Sequence, residues 1–471
     1  MVKQDWKDIL RNCEKISNVQ LKQKYLLDVL KVYLSGSNWL KIRKCRVAEN
    51  AFLKGRNYMN KKIIVAHSGK QHSYQLAKAL KKKDMLLNYV TTVYDKRGGL
   101  THFVGRFLKG DNKQRFLTRR DEELDSDVVQ YCEFGGLLVI ALRRIRFLSK
   151  LGVKLDYWVR YITYIKTIRL AEKTNADAVI FFGRLNKKHF ELKQKICPNT
   201  VLIIDVPTTH QRLIKDIFEH DWQCYHDEFL KIEQSNFWRK SIDTDFWCKQ
   251  ADGFLVGSSF VKKSLMMCGT EEERIKIVPY GVDIKIFSPK LVYTVPKIVT
   301  FLYVGEINRR KGIHHLLPAF EKLNRDKARL ILVGNYNPQD PMIVKYKKRV
   351  NIKFMGFMTK DSVVEFYKKA DVFVFPSLGE GMAQVGIEAM CCGLPVICSE
   401  NSGFNDLFTD GKEGFIIPAS DREKLTNCMQ FFIEHPKEIE KMGREASKTI
   451  VKYTWEAYHE KVSEAVCDIV Y

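Results

Sequence analysis

The sequence predicts an α/β fold built on two parallel sheets. Three observations carry the prediction. Short apolar runs alternate with helix-length segments through most of the chain. The runs fall into two sets of six. A proline-bearing segment, 288–297 (SPKLVYTVPK), separates the sets.

In the first set, strands are expected at 62–66, 87–93, 178–182, 201–206, 253–257 and 277–279. In the second they are expected at 298–304, 329–333, 352–354, 372–375, 395–398 and 414–417. The first 58 residues read differently. Leu21, Tyr25, Leu26, Val29, Leu30, Tyr33 and Leu34 recur at a helical period. The expected organisation is therefore a helical extension over 1–58, a first α/β domain over 59–290 and a second over 291–454. Residues 455–471 form a closing helix.

At 471 residues, length alone suggests two or three domains. With 45% apolar and 28% charged residues, the composition is that of a globular protein. No apolar run reaches the roughly 18 residues of a membrane span. The start of the chain is polar, without a leader pattern. Twelve scattered cysteines include no C-x-x-C pair and no zinc spacing. A cytoplasmic protein with reduced thiols and no metal is expected. The formal charge of +24 is uneven. Residues 1–150 hold 32 Lys and Arg against 14 Asp and Glu, a net +18. Such a field favours an anionic partner: nucleic acid, anionic lipid or a phosphorylated substrate.

The chemistry concentrates in 371–399, DVFVFPSLGEGMAQVGIEAMCCGLPVICS. An apolar strand runs into a glycine turn carrying Glu380, and a helix over 385–392 carries Glu388. Free N–H groups at the helix start suit phosphate oxygens, and the carboxylates suit sugar hydroxyls. A second turn, 304–312 (VGEINRRKG), places Arg310 and Lys311 between a strand and a helix, where two cations can meet a diphosphate.

These residues resemble the signature of the retaining family-4 glycosyltransferases, E-G-x6-E-A-M-x2-G-x-P-V. The matches are Glu380, Gly381, Glu388, Ala389, Met390, Gly393, Pro395 and Val396. Asp252–Ser259 resembles the family's D-x5-S marker, and Pro279–Asp283 with Phe287 its P-Y-G-V-D-x3-F marker. The likeness spans roughly 59–471 and implies a GT-B architecture: two Rossmann-like domains facing a cleft, with the last helix (455–470) crossing back to the first domain. It implies a nucleoside-diphosphate-sugar donor, no further cofactor, and front-face transfer with retention. It assigns Glu388 to the ribose and Glu380 to the sugar. Arg310 and Lys311 would neutralise the diphosphate, with Arg309 in reserve, because Glu306 stands where many relatives carry an arginine. The amides of Met382 and Ala383, beside Gly381, are expected to help hold sugar or phosphate.

Further donor contacts are expected at Gly69, in the loop after the first strand, and at Gly334 and Met355, at strand ends bordering the base. His210 is the expected catalytic histidine. His72, Arg184 and Arg212 are expected to face an anionic, lipid-linked acceptor. Asp243–Asp245 is read as a helix cap rather than a metal motif. The apolar stretch 134–142, followed by Arg143, Arg144, Arg146 and Lys150, suggests contact with an anionic membrane surface, placing the protein peripherally on the inner face of the plasma membrane. The expected setting is bacterial surface-polysaccharide assembly. Two other readings share parts of this pattern: a GT-B nucleotide-sugar 2-epimerase, and a basic nucleic-acid- or membrane-binding protein. Against nucleic acid, the chain lacks recognisable nucleic-acid modules.

Overall fold

A computed structural model describes residues 61–225 and 245–471, except 109, 111, 112, 114, 115 and 117. The expected helical extension and the pair Asp243–Thr244 lie outside the described residues. Lys62–Tyr471 form one compact unit holding two sheets.

The first sheet comprises β1 (Ile63–Ala66), β2 (Leu86–Thr91), β3 (Val128–Gln130), β4 (Ala178–Phe182), β5 (Val201–Val206), β6 (Gly253–Val256) and β7 (Ile275–Ile277). Its order is β3-β2-β1-β4-β5-β6-β7, with parallel pairing throughout. The second comprises β8 (Val299–Val304), β9 (Ala328–Val333), β10 (Ile352–Gly356), β11 (Val372–Phe375), β12 (Val396–Ser399) and β13 (Gly414–Ile417). Its order is β10-β9-β8-β11-β12-β13, also parallel. Central strands such as β4 and β11 are buried along their whole length. That is why they read as unbroken apolar runs rather than alternating ones.

Two strand expectations need correction. β3 is a three-residue edge strand, too short to stand out in sequence. β7 begins two residues before the expected 277–279, its register set by pairing Phe254 with Ile275.

Seven helices matter below: α1 (Ser73–Lys81), α2 (Glu133–Arg144), α3 (Ser149–Thr174), α4 (Gln211–Cys224), α5 (Ile313–Glu321), α6 (Gln384–Cys391) and α7 (Trp455–Val470). α7 lies on α1 of the first sheet: His459 bonds Gln75 at 2.8 Å, and Glu460 pairs with Lys83 at 2.7 Å. α2 and α3 form a tight hairpin, with Gly135 against Val159 and Gly152 against Arg143. Only Gly136 and Val139 of α2 are buried. Phe134, Leu138, Phe147, Leu151 and Trp158 stand exposed, beside exposed Arg144 and Lys150. Among the described residues, no helix is long and apolar enough to cross a membrane.

Both sheets reverse strand order beside their first strand, between β1 and β4 and between β8 and β11. In open parallel sheets the crevice at the carboxyl ends of such strands is where ligands bind. The turns after β8 and β11 carry the residues that the sequence singled out.

Candidate active site

The turns 305–312 and 376–381 are fastened together. Leu378 N–H donates to the Arg310 carbonyl at 2.8 Å, and Ser377 Oγ lies 3.0 Å from the same oxygen. Gly312, the residue before α5, has φ 72°, and a Cβ there would lie 1.8 Å from the Pro376 carbonyl oxygen. Only glycine allows the two turns to approach so closely.

This approach brings three expected residues to one point. Glu380 Oε1 accepts from Arg310 Nη1 at 2.7 Å and from Ser377 Oγ at 2.7 Å, with Lys311 Nζ also at 2.7 Å. Burial alone would raise the Glu380 carboxyl, but Lys311 and Arg310 hold it below the usual carboxylate range. The Arg310 side chain stays 35% exposed, so the cluster is open to a ligand. Two cations against one carboxylate leave a net positive charge at a strand-to-helix turn.

Glu388 lies on α6, partly buried, and accepts from Tyr367 Oη at 3.2 Å. Burial pushes its carboxyl up to about 7, against the pull of Lys360 and the Tyr367 hydrogen bond. Near neutrality it thus sits between proton donor and double acceptor. Gly334 closes β9 at φ 150°, and Met355 on β10 is half-exposed.

The first domain presses directly on this turn. A Cβ on Gly381 would lie 1.9 Å from the Pro207 carbonyl oxygen. Thr209 Oγ1 donates to the Glu380 carbonyl at 2.7 Å, and Ser258 Oγ to the Gly381 carbonyl at 2.5 Å. Ser258 is the serine of the D-x5-S pattern; Thr209 carried no sequence signal beyond its neighbourhood.

Several expected contacts are placed otherwise. The Ala383 amide is already donated to the Ser402 carbonyl at 3.1 Å. The Gly69 amide is taken by His67 Nδ1 at 2.7 Å. His72 is buried, 2.9 Å from Asp205 and packed on Tyr280, so it is a core residue rather than an acceptor contact. His210 is also buried. Its Nδ1 accepts from Arg212 N–H at 3.3 Å and meets Cys268 Sγ at 3.0 Å, so that nitrogen is engaged within the first domain. Arg309 is buried in an ion pair with Asp221 and is not in reserve for the diphosphate. Asp245 occupies the N-cap position of Phe246–Gln250 without capping it; its carboxylate takes Arg212 at 3.2 Å instead. Arg184 and Arg212 stay at the surface around the start of α4, Arg184 donating to Gln211 at 2.8 Å.

Two clusters among the described residues have metal-ligand spacing: His210–Cys248–Cys268 and Asp221–His314–His315. In the first, His210 Nδ1 is engaged as described above. In the second, the Arg309 guanidinium already sits on the carboxylate at 2.6 Å. The described cysteines are all free.

Residues 294–449 match the family described as Glycosyl transferases group 1. The fold is GT-B. Among curated relatives, the chain is 28% identical over 230 residues to sulfoquinovosyl transferase SQD2 of Arabidopsis thaliana, covering 46% of this chain and 44% of that one. It is 26% identical over 195 residues to the putative colanic acid biosynthesis glycosyltransferase WcaL of Escherichia coli, covering 39% and 48%. The chain thus spans about half the length of the curated relatives it matches. Among solved GT-B structures, Anabaena HepE in complex with UDP and glucose aligns with a TM-score of 0.56 at 16% identity, covering 86% of this chain and 99% of that one. Sucrose-phosphate synthase from Thermosynechococcus elongatus aligns at 0.58 and 17%, covering 86% and 98%.

Proposed function

We propose that this chain is a retaining glycosyltransferase. It moves a sugar from a nucleoside-diphosphate-sugar to the hydroxyl of an anionic, lipid-linked acceptor in surface-polysaccharide assembly. The observation that carries the reading is the Arg310–Lys311–Glu380 cluster in the crevice of the second sheet. In the free protein Glu380 occupies the cations as an anion would. A donor diphosphate takes its place there and frees the carboxylate for the sugar hydroxyls.

As the bond between the anomeric carbon and the phosphate oxygen breaks, charge builds on the departing diphosphate. Preorganised cations in a partly desolvated site stabilise that charge without reorganising. The acceptor hydroxyl attacks from the same face, and its proton passes to the departing phosphate oxygen. The proposal calls on no metal ion, since Arg310 and Lys311 supply the counter-charge. Glu388 accepts from the ribose. Arg184 and Arg212, exposed on the first domain, are placed for an anionic acceptor.

The α2–α3 hairpin supports the membrane side of the reading. Aromatic residues Phe134, Phe147 and Trp158 are exposed on it, flanked by Arg144 and Lys150. An apolar face rimmed by cations suits the interface of an anionic bilayer. Thermal stabilisation by UDP-, GDP-, ADP- and TDP-sugars tests the donor, with Glu388→Ala beside the native protein. UDP-sugars come first, because HepE was solved with UDP. A shift with one nucleotide class that the variant loses supports the reading; no shift with any of them removes its basis.

A further inference from the structure

α4 belongs to the first domain, yet side chains of its last turn are held by the second. Asp221 is fully buried there. Its Oδ2 accepts from Arg309 Nε at 2.7 Å, with Arg309 Nη2 at 2.6 Å and His314 Nε2 at 2.9 Å. Its Oδ1 is 2.6 Å from His315 Nε2 and accepts from Ser420 Oγ at 2.8 Å. Burial would raise this carboxyl, but hydrogen bonds from both histidines hold it well below the usual range. An ionised carboxylate only accepts, so both histidines present N–H at Nε2. His315 Nδ1 is then the acceptor for Arg422 Nε at 3.1 Å.

The neighbouring contacts cross the same boundary. Arg309 Nη2 donates to the Tyr225 carbonyl at 3.0 Å, and its guanidinium lies 4.9 Å over the Trp222 ring. Tyr225 Oη donates to the Ser420 carbonyl at 3.0 Å, and Arg422 stacks 4.0 Å over the Tyr225 ring. At the opposite end of α4, Ile214 and the Pro207–Thr209 loop touch Gly379, Glu380 and Gly381. α4 therefore lies along the second domain from the sugar turn to the diphosphate turn.

A buried ion pair adds little net stability over an apolar replacement, because desolvation offsets attraction. What this one does specify is position. Arg309 precedes Arg310, and its carbonyl accepts the Gly312 N–H at 2.7 Å, fixing the turn that carries both donor cations. We propose that Asp221 is a positioning residue. It locks α4 of the first domain onto the diphosphate turn, so that Arg310 and Lys311 reach their working geometry only when the two domains are closed. This rests on the donor reading above.

Asp221→Asn keeps the size and removes the charge. Steady-state kinetics should show kcat lowered about tenfold or more, as for loss of one buried charged contact, with acceptor KM changed less than about twofold. Small-angle scattering of the nucleotide-free variant should show a larger radius of gyration than native. Arg309→Lys, which keeps the charge but not the forked geometry, should lie between native and Asp221→Asn on both readouts. If Asp221→Asn does not fold, Ser420→Ala, which removes one donor to Oδ1, should lower kcat by about threefold. A folded Asp221→Asn that melts earlier but keeps native kcat and native radius overturns the proposal and leaves Asp221 a stability residue. Should the native protein bind no nucleotide, the donor reading fails, and the scattering comparison still decides whether Asp221 holds the domains closed.

Discussion

The two crevices of this molecule are built alike and filled differently. In the second domain, the turns after β8 and β11 aim Arg310, Lys311 and Glu380 at one another in a partly open cluster. In the first, the turns after β1 and β5 carry three histidines that turn inward. His67 serves the Gly69 amide, His72 pairs with Asp205, and His210 meets Cys268. A similar strand order thus yields a charged, partly open crevice on one side and imidazoles engaged by their own domain on the other. Position at a strand end is a licence for function, and the partners available to the side chain decide whether it is used.

The sharpest way to break this comparison is to remove charge from each crevice in turn. Lys311→Ala should lower kcat/KM by about 10²–10³, the usual loss for one preorganised group at a developing anion. Arg212→Ala should change chiefly acceptor KM, by about threefold, because an exposed cation is worth little. Steady-state kinetics on both variants measures the contrast directly.

His72→Ala should act on the fold instead. It leaves the buried Asp205 carboxylate without its partner and should cost about 1–3 kcal/mol in urea unfolding, with donor affinity unchanged. A loss of activity without loss of stability would return His72 to the site.

Glu388 sharpens the picture through pH. Its folded pKa, about 7, is raised above the ordinary glutamate value. The stabilising contribution of its neutral form is complete below that ordinary value and fades as pH rises through 7. Donor binding runs the other way, since the ionised carboxylate is the better acceptor for ribose hydroxyls. Donor affinity should therefore rise from pH 6 to pH 8, and Glu388→Gln should flatten both trends in titration calorimetry and thermal melts. The smallest effect on chemistry is expected from Phe147→Asp with Trp158→Asp. This pair should abolish cosedimentation with anionic vesicles while leaving turnover of a soluble acceptor within about twofold, as is usual for substitutions of exposed side chains.

Most of the second crevice was legible in the sequence because its parts are local. Glu380, Gly381 and Glu388 lie within one strand–turn–helix unit, and Arg310–Lys311–Gly312 in another. The first crevice was legible only as a set of strands. Whether His210 faces the cleft or the core depends on Cys268, 58 residues away, and no local pattern reports that. Asp221 was missed for the same reason: alone on an amphipathic helix it reads as a solvated charge, and its partners lie 88 to 199 residues on. The exposed face of α2 was ambiguous between core and surface until the hairpin with α3 showed which side was covered.

The most direct measurement is calorimetric titration with UDP, GDP, ADP and TDP of native protein, an Arg310→Ala/Lys311→Ala variant and an Arg184→Ala/Arg212→Ala variant. The account expects one nucleoside diphosphate to bind at one site per chain, with binding lost in the first variant and kept in the second. Binding that survives removal of Arg310 and Lys311, or that is lost with Arg184 and Arg212 instead, would contradict it.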